Sequence, residues 1–168
     1  MYHRVLRKQP NSRTCLVCGL KNPFGLKAAF YEMDSGELLG RFVSLEEHQS
    51  YPGRLHGGVA AAILDETIGR AIMMGTDEEL WGVTVEFTIR YKRPIPLKEP
   101  LRVLGRITTV RGRVFEGTGE ILLDDGTVAA EGRGCYLKMP LGSIAEFDRE
   151  EQEWQVVEHR DDAPGFDL

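Results

Sequence analysis

The strongest apolar pattern in the chain lies between residues 57 and 74, where apolar side chains recur at helical spacing. Three successive alanines, Ala60 to Ala62, add strong helix formers. The apolar positions cover most of the helix circumference, which predicts burial on several sides. They are Val59, Ala60, Ile63, Leu64, Ile68, Ala71 and Ile72. We therefore expect one long central helix that other elements surround.

Period-two patterns occupy the sequence on both sides of this helix. Residues 83–91 alternate strictly, with Val83, Val85, Phe87, Ile89 and Tyr91 on one predicted face. Turn residues separate further segments of the same kind, which we expect to be strands at 27–33, 38–44, 101–110, 114–123 and 127–139. Two strands, one buried helix and four strands predict an α+β fold, in which a curved antiparallel sheet of about six strands wraps the helix.

The chain length suits one domain with a substantial core. Residues 1–13 are basic and polar, and they are expected to form a flexible N-terminal arm. The predicted domain covers residues 14–140. Residues 141–168 would form a C-terminal extension that is partly helical, because Ser143 and Glu146 have the spacing of a capping box before a charged segment.

Composition and charge limit the classes of binding partner that the protein is expected to have. The formal net charge is −5, whereas a broad nucleic-acid surface needs a basic excess. A local cluster of arginines would still suffice for a small phosphorylated ligand. No apolar run approaches the roughly 20 residues of a membrane span, and the first residues lack the apolar stretch of a signal peptide. We expect a cytoplasmic protein with no nucleic-acid or membrane partner.

Three cysteines are present, and Cys15 and Cys18 form a CxxC motif. No second CxxC and no nearby Cys/His pair completes a zinc-binding set. The favoured interpretation is a tight loop with two half-buried thiols, and a metal or redox role is the alternative. No cofactor and no metal site are predicted.

The start of the central helix is the first candidate for chemistry. Gly57 and Gly58 allow close approach to the backbone, and the first N–H groups of a helix lack intrahelical partners. Such donors, at the positive end of the helix dipole, stabilise a carbonyl oxygen that gains negative charge during reaction. Asp65 is the first charge on the otherwise apolar helix. A partly buried carboxylate there would have a raised pKa, which suits a general base.

Spacing separates these two groups. Eight residues of helix span about 12 Å, so the Gly57 N–H and the Asp65 carboxylate of one chain cannot act on the same atom. If both serve one reaction, they come from two copies of the chain. This predicts a homodimer with two composite sites, and a dimer of dimers remains open. A tight helix start and a solvated acidic pair, Asp65 and Glu66, are the structural alternatives.

The sequence resembles the hotdog-fold acyl-CoA thioesterases of the phenylacetate-degradation (PaaI-like) type. Residues 55–66, LHGGVAAAILDE, resemble the family's helix motif, and residues 82–91, GVTVEFTIRY, resemble its next strand. Residues 15–19, CLVCG, with residues 22–26, NPFGL, are similar to a motif near the start of many members. The resemblance covers roughly residues 14–139 and implies a hotdog fold and hydrolysis of an acyl-CoA thioester.

The resemblance also implies roles. Gly57 looks like the oxyanion donor, Asp65 like the catalytic carboxylate, as general base or nucleophile, and Thr84 like a hydroxyl residue that orients water. The residues expected to border the substrate are Gln49, Ser50, His56, Gly58 and Glu66. The residues expected to meet coenzyme A are Arg111, Gly112, Arg113 and Arg133, with a solvated hairpin as their alternative.

Two qualifications belong to these roles. Several family members have asparagine six residues before the histidine, where this chain has Ser50, and the adjacent Gln49 is a candidate for the same amide contact. His56 is expected to be a structural residue that hydrogen-bonds the preceding loop rather than a general base.

Two other functions compete with hydrolysis. A non-catalytic acyl-CoA-binding or regulatory protein would use the same fold. A hydratase or dehydratase would need a histidine near the acyl β-carbon, and the chain offers only His3, His48, His56 and His159.

Overall fold

The computed structural model describes residues 1–77 and 79–168, which form one helix and one large sheet. Helix α1 spans Gly57–Arg70 and continues as a 3₁₀ turn over Ala71–Met73. Two short 3₁₀ turns lie at Glu46–His48 and Leu141–Ser143. The strands are β1 Tyr2–Lys8, β2 Ala29–Met33, β3 Leu38–Val43, β4 Leu80–Tyr91, β5 Pro100–Arg111, β6 Val114–Leu122, β7 Val128–Pro140 and β8 Gly165–Asp167.

The sheet has the order β4-β7-β6-β5-β3-β2-β1-β8, and the pairs are antiparallel. Helix α1 packs against β3, β4, β5, β6 and β7 and buries Ile63, Leu64 and Ile68 completely. The predicted α+β hotdog architecture is confirmed. The six predicted strands are β2 to β7, and the two further strands come from the chain's terminal segments. No helix in the described residues has the length and apolar character needed to span a bilayer.

The helix lies close to the sheet because glycines face it. A Cβ atom built on Gly82 would lie 2.6 Å from the Phe115 ring and 2.9 Å from the Gly69 carbonyl oxygen. At Gly105 the nearest atom would be the Thr67 carbonyl oxygen, also at 2.9 Å. These distances are too short for any side chain. The strand glycines therefore determine how close the helix and its side chains lie to the sheet.

Strand β4 departs from the strict alternation predicted for residues 83–91. Its pairing with β7 is interrupted by a bulge between Thr84 and Glu86. Before the bulge, Gly82 and Thr84 face the helix; after it, Phe87 and Ile89 pack into the core. Val85 is 61% exposed. The extra residue changes which face each side chain takes, as bulges beside functional sites commonly do.

The first residues form a strand, where the sequence predicts a flexible arm over residues 1–13. β1 pairs with β2 and β8, and Gln9 and Asn11 are buried. The expectation of a loose arm is wrong because the polar groups of this segment have partners. Arg7 forms an ion pair with Glu32 at 2.8 Å, for example. The polar sequence of this segment therefore belongs to an ordered strand and does not indicate flexibility.

The α-helix expected to begin near Ser143 in the C-terminal extension does not form; a 3₁₀ turn and irregular turns precede β8. Phe147 and the buried Trp154 pack against Trp81, with Trp81 and Trp154 rings 4.7 Å apart. Glu153, next to Trp154, has a left-handed φ of 48°, which no α-helix contains. Anchoring of aromatic side chains on the domain overrides the local capping signal.

Candidate active site

The Asp65 carboxylate has three hydroxyl contacts. Thr84 Oγ1 donates to it, 3.0 Å from Oδ1 and 3.1 Å from Oδ2. Tyr136 Oη lies 3.1 Å from Oδ1 and 3.3 Å from the Asp65 carbonyl oxygen. Helix α1 supplies the acid, β4 supplies Thr84 and β7 supplies Tyr136. Because β4 and β7 are paired with Thr84 opposite Tyr136, the two hydroxyls approach the carboxylate from adjacent strands.

Burial raises the pKa of Asp65 above its ordinary value, and the negative charge of Glu66 adds to this rise. The hydrogen bonds from Thr84 and Tyr136 act in the opposite direction and lower the pKa, since they stabilise the ionised form. A carboxylate with a raised pKa that stays hydrogen-bonded and fixed in orientation is suited to accept a proton from water.

Asp65 and Thr84 line a cavity of about 460 Å³. One wall is aromatic and consists of Trp81, Phe147 and Trp154. The C-terminal segment contributes Phe147 and Trp154, so residues expected to lie outside the domain complete this cavity. Its size and mixed lining suit a small organic group beside a reactive carboxylate.

Gly57 lies on a different cavity, of about 650 Å³, together with Ser50, Tyr91 and basic residues that include Arg54 and Arg93. Its carbonyl oxygen accepts a 2.6 Å hydrogen bond from Tyr91 Oη. As the first residue of α1, it has no intrahelical acceptor for its N–H. Gly57 and Asp65 of one chain therefore line separate cavities, in agreement with the helix-length argument.

The residues around the start of α1 hold the helix in place. His56 is its N-cap, and its Nδ1 accepts a 2.9 Å hydrogen bond from the Gly58 N–H. The imidazole thus supports the helix itself, whereas only the backbone N–H of His56 bonds the preceding loop, at the His48 carbonyl. Gln49 uses its side-chain oxygen to accept from the Gly53 N–H at 2.8 Å. Ser50, rather than Gln49, lines the Gly57 cavity.

The predicted coenzyme A residues fall into two groups. Arg111, Gly112 and Arg113 form the β5–β6 turn, where Gly112 has a φ of 58° and both arginines are exposed. The Lys138 N–H donates to the Arg113 carbonyl, and Lys138 pairs with Gly82, so this turn adjoins the Asp65 end of the sheet. Arg133 forms an ion pair with Glu116 at 2.8 Å and is exposed, whereas its neighbours Gly132 and Gly134 are buried. It therefore lies on the face of β7 opposite Tyr136.

Glu66 points to a second group of side chains on the Asp65 cavity. Its Oε1 accepts from Arg70 Nε at 2.9 Å, and its Oε2 lies 3.3 Å from Cys15 Sγ. Cys15, Cys18 and Arg70 line the same cavity. The hydrogen bond with Cys18 and burial both raise the pKa of Cys15, whereas the same bond and Arg70 lower the pKa of Cys18 against its burial.

Two tyrosines that contact Asp65 and Gly57 were not predicted as site residues. Tyr136 contacts Asp65 across 71 residues of sequence, and Tyr91 contacts Gly57 across 34. In the sequence, the residues from Val83 to Tyr91 alternate as in one regular strand. This pattern gives no sign of the bulge next to Thr84. On the helix-facing side of β7, Tyr136 follows Gly132 and Gly134, which have no side chains. An aromatic residue with a hydroxyl group at the next such position is the sequence signal that could have identified it.

Replacing Tyr136 by phenylalanine tests its contribution. The variant loses the 3.1 Å hydrogen bond but keeps the stacking on Phe115, whose ring lies 5.0 Å away. We expect a fall in turnover of about tenfold and a loss of stability of up to about 3 kcal/mol, since a hydrogen bond to a charged group contributes roughly 1.5–3 kcal/mol. Steady-state assays and thermal unfolding measure both. Tyr2→Phe, at an exposed site, is the matched control, and equal turnover in the two variants would remove Tyr136 from the site.

Known proteins of similar sequence are thioesterases. Residues 52–130 match the sequence profile of the thioesterase superfamily. Acyl-coenzyme A thioesterase THEM4 of Mus musculus is 30% identical over 114 residues, which are 67% of this chain and 47% of that protein. The Rattus norvegicus protein of the same name is 28% identical over 113 residues. The chain spans about half the length of these curated relatives.

Solved structures share the architecture. A crystal structure described as a thioesterase superfamily protein aligns with a TM-score of 0.68 at 32% identity, over 74% of this chain and 60% of that one. The PaaI protein of the E. coli phenylacetic acid degradation operon aligns with a TM-score of 0.60 at 18% identity, over 68% and 80% of the two chains, a likeness of fold alone. Residues 52–130 therefore match the thioesterase superfamily in sequence, and the chain shares the hotdog fold of these solved structures.

Proposed function

We propose that this protein hydrolyses an acyl-CoA thioester to a free acid and coenzyme A. The observation that carries the proposal is the half-buried Asp65 carboxylate, held by Thr84 and Tyr136 on the wall of a cavity. The curated relatives, which are named acyl-coenzyme A thioesterases, support the choice of substrate class. A fixed carboxylate, an oxyanion donor and a pocket are the parts that thioester hydrolysis needs.

In the proposed reaction, water attacks the thioester carbonyl carbon and gives its proton to Asp65. The carbonyl oxygen becomes an oxyanion, which accepts a hydrogen bond from the Gly57 N–H of the partner subunit. The carbon–sulfur bond then breaks, and the leaving thiolate takes the proton back from Asp65. The alternative is direct attack by Asp65, which forms a mixed anhydride that water hydrolyses. Label in the Asp65 side chain after single turnover in ¹⁸O water would identify the anhydride route, because the general-base route forms no covalent bond to Asp65.

The composite site requires a homodimer, for which β4 is the candidate interface. In the described chain β4 has β7 on one side and no strand on the other. It is 12 residues long, and Val85 and Tyr91 on it are exposed. A long edge strand with exposed apolar groups is a template for pairing with a second copy. Light scattering should give a dimer or a dimer of dimers, and a fully active monomer would end the composite-site proposal.

We also propose that Arg111 and Arg113, on the β5–β6 turn with Gly112, bind the phosphates of coenzyme A. Replacing both by serine should raise KM for an acyl-CoA by about tenfold with a smaller effect on kcat, since these contacts would be equal in the ground and transition states. Arg133→Ser should change KM less, because Arg133 is already paired with Glu116.

A truncated substrate supplies the control for the arginines. An acyl-pantetheine thioester lacks the nucleotide phosphates, so the double variant should handle it as the wild type does. An equal loss on both substrates would mean that the turn acts through structure and does not bind phosphate.

Release of free thiol from a panel of aryl- and fatty-acyl-CoA substrates tests the activity itself, with Asp65→Ala as the blank. Turnover of at least one substrate that Asp65→Ala abolishes is the expected result. Tight acyl-CoA binding without thiol release would favour a non-catalytic binding protein. Activity on an enoyl-CoA would favour a hydratase.

A further inference from the structure

The CxxC motif acquires a third potential ligand only when the chain folds. Among the described residues, Cys15 Sγ, Cys18 Sγ and a Glu66 carboxylate oxygen all lie within 4.8 Å of one another. Glu66 lies 51 residues from Cys15, so sequence spacing alone gives an incomplete set and the prediction of no metal site. Two sulfurs and one oxygen are the donors that zinc-class cations accept in proteins.

The distances fit a tetrahedral centre with small movement. Metal–sulfur bonds of about 2.3 Å and metal–oxygen bonds of about 2.1 Å place sulfur and oxygen ligands roughly 3.6 Å apart at a tetrahedral angle. Cys15 Sγ and Glu66 Oε2 are 3.3 Å apart. A change of about 0.3 Å between these two atoms would give the tetrahedral spacing, and Cys18 Sγ lies within 4.8 Å of the other two donor atoms.

The loop around the two cysteines supplies an outer shell. The backbone N–H groups of Val17 and Cys18 point at Cys15 Sγ, at 3.3 and 3.5 Å, and Ser12 Oγ lies 3.2 Å from Cys18 Sγ. Such contacts orient thiolate ligands and stabilise their charge. A Cβ on Gly19 would lie 2.4 Å from the Cys15 carbonyl oxygen, so the loop closes this tightly only with glycine there. Glu66 is held by Arg70 through its other oxygen.

The charges also balance. Two thiolates and one carboxylate carry three negative charges, which a divalent cation reduces to one. Arg70 supplies one positive charge beside them and is only 5% exposed. Its Nη2 has no hydrogen-bond partner within residues 1–77 and 79–168. A buried guanidinium with an unused donor is costly unless negative charge lies nearby.

We propose that Cys15, Cys18 and Glu66 bind one thiophilic divalent cation of the zinc class. Three protein ligands leave a fourth coordination position, and the cavity that all three line also contains Asp65. The fourth ligand would be water or a substrate atom in that cavity. The site does not depend on the proposed hydrolysis, so its test uses binding and spectroscopy rather than turnover.

Cobalt(II) is the probe for this site. The whole chain, reduced with a phosphine and handled without oxygen, should bind one equivalent of Co²⁺. It should show near-ultraviolet thiolate-to-cobalt absorption and visible bands of a tetrahedral centre, and Zn²⁺ should displace the cobalt. A reduced wild-type protein that binds no cobalt, or that binds it without the thiolate absorption, overturns the proposal.

Three variants and a matched control locate the ligands. Cys15→Ser and Cys18→Ser should lose the thiolate absorption, whereas Glu66→Gln should keep it and weaken binding at least tenfold. Cys135→Ser, which removes the remaining thiol on β7, should behave as the wild type. Circular dichroism and thermal unfolding of the metal-free variants show whether each is folded. Unchanged Co²⁺ affinity in folded Cys15→Ser, or in folded Glu66→Gln, would exclude the site.

Discussion

Replacing Asp65 by asparagine should lower kcat for acyl-CoA hydrolysis by about 10²–10⁴-fold, the range in which a positioned general base contributes. Asparagine has the same shape, and its side-chain oxygen still accepts hydrogen bonds from Thr84 and Tyr136. It cannot accept a proton from water. The loss should therefore fall on kcat, whereas KM and thermal unfolding should change little.

The matched control is Asp125→Asn on the turn between β6 and β7, far from the cavity residues in sequence and exposed. Its kinetics should match the wild type. If Asp65→Asn retains more than about a tenth of wild-type kcat while folded, Asp65 is not the group that activates water or attacks the carbonyl.

Replacing Gly57 by proline should lower kcat by about 10²–10³-fold, because it removes the N–H that would stabilise the oxyanion. Proline is tolerated at the first position of a helix, where the N–H has no intrahelical role. The preceding His56 has a ψ of 134°, the extended conformation that proline requires before it. The fold should therefore survive a substitution that removes one hydrogen-bond donor.

Gly57→Ala separates the N–H from the space around it. Alanine keeps the N–H, and its Cβ would lie 3.1 Å from Tyr91 Oη, so only a small shift of that side chain is needed. We expect Gly57→Ala to retain most of the activity. Equal losses in the two variants would assign the effect to crowding at Tyr91 and not to the missing donor.

Mixing the two inactive variants tests the composite site. A heterodimer of Asp65→Asn with Gly57→Pro would contain one intact site, made from the Gly57 of the first chain and the Asp65 of the second. Equal mixing with free exchange yields half heterodimers with one working site of two, so activity should return to about one quarter of the wild type. If both groups act within one chain, no activity returns.

The helix motif and the strand patterns were sufficient to predict the fold, because hydrophobic period reports burial directly. The pattern worked best for α1, whose apolar circumference requires a surrounding sheet. It was insufficient at Thr84 and Val85, since a bulge depends on how two strands pair and leaves no mark in the alternation. Thr84 entered through family resemblance, and its hydrogen bonds to Asp65 needed the structure.

Contacts between segments that are distant in sequence could not be predicted for the same reason. Glu66 joins Cys15, and Tyr136 joins Asp65, through register and packing that no local pattern encodes. In the C-terminal segment the error is of the opposite kind, because a local pattern is present and the structure that it predicts does not form. Ser143 and Glu146 have helix-start chemistry, yet Phe147 and Trp154 are held by the aromatic cluster on Trp81, and long-range packing decides the backbone.

The bulge at Val85 reverses the phase of β4, so that Gly82 and Thr84 face the helix before it and Phe87 and Ile89 pack into the core after it. A regular strand of the same sequence could not turn both Thr84 and Phe87 towards the helix, because they are three residues apart and side chains alternate every two. If the bulge were straightened with the sequence unchanged, either the hydroxyl that contacts Asp65 or the core residues Phe87 and Ile89 would turn away from the helix. A chain can therefore contain the whole motif without assembling the site.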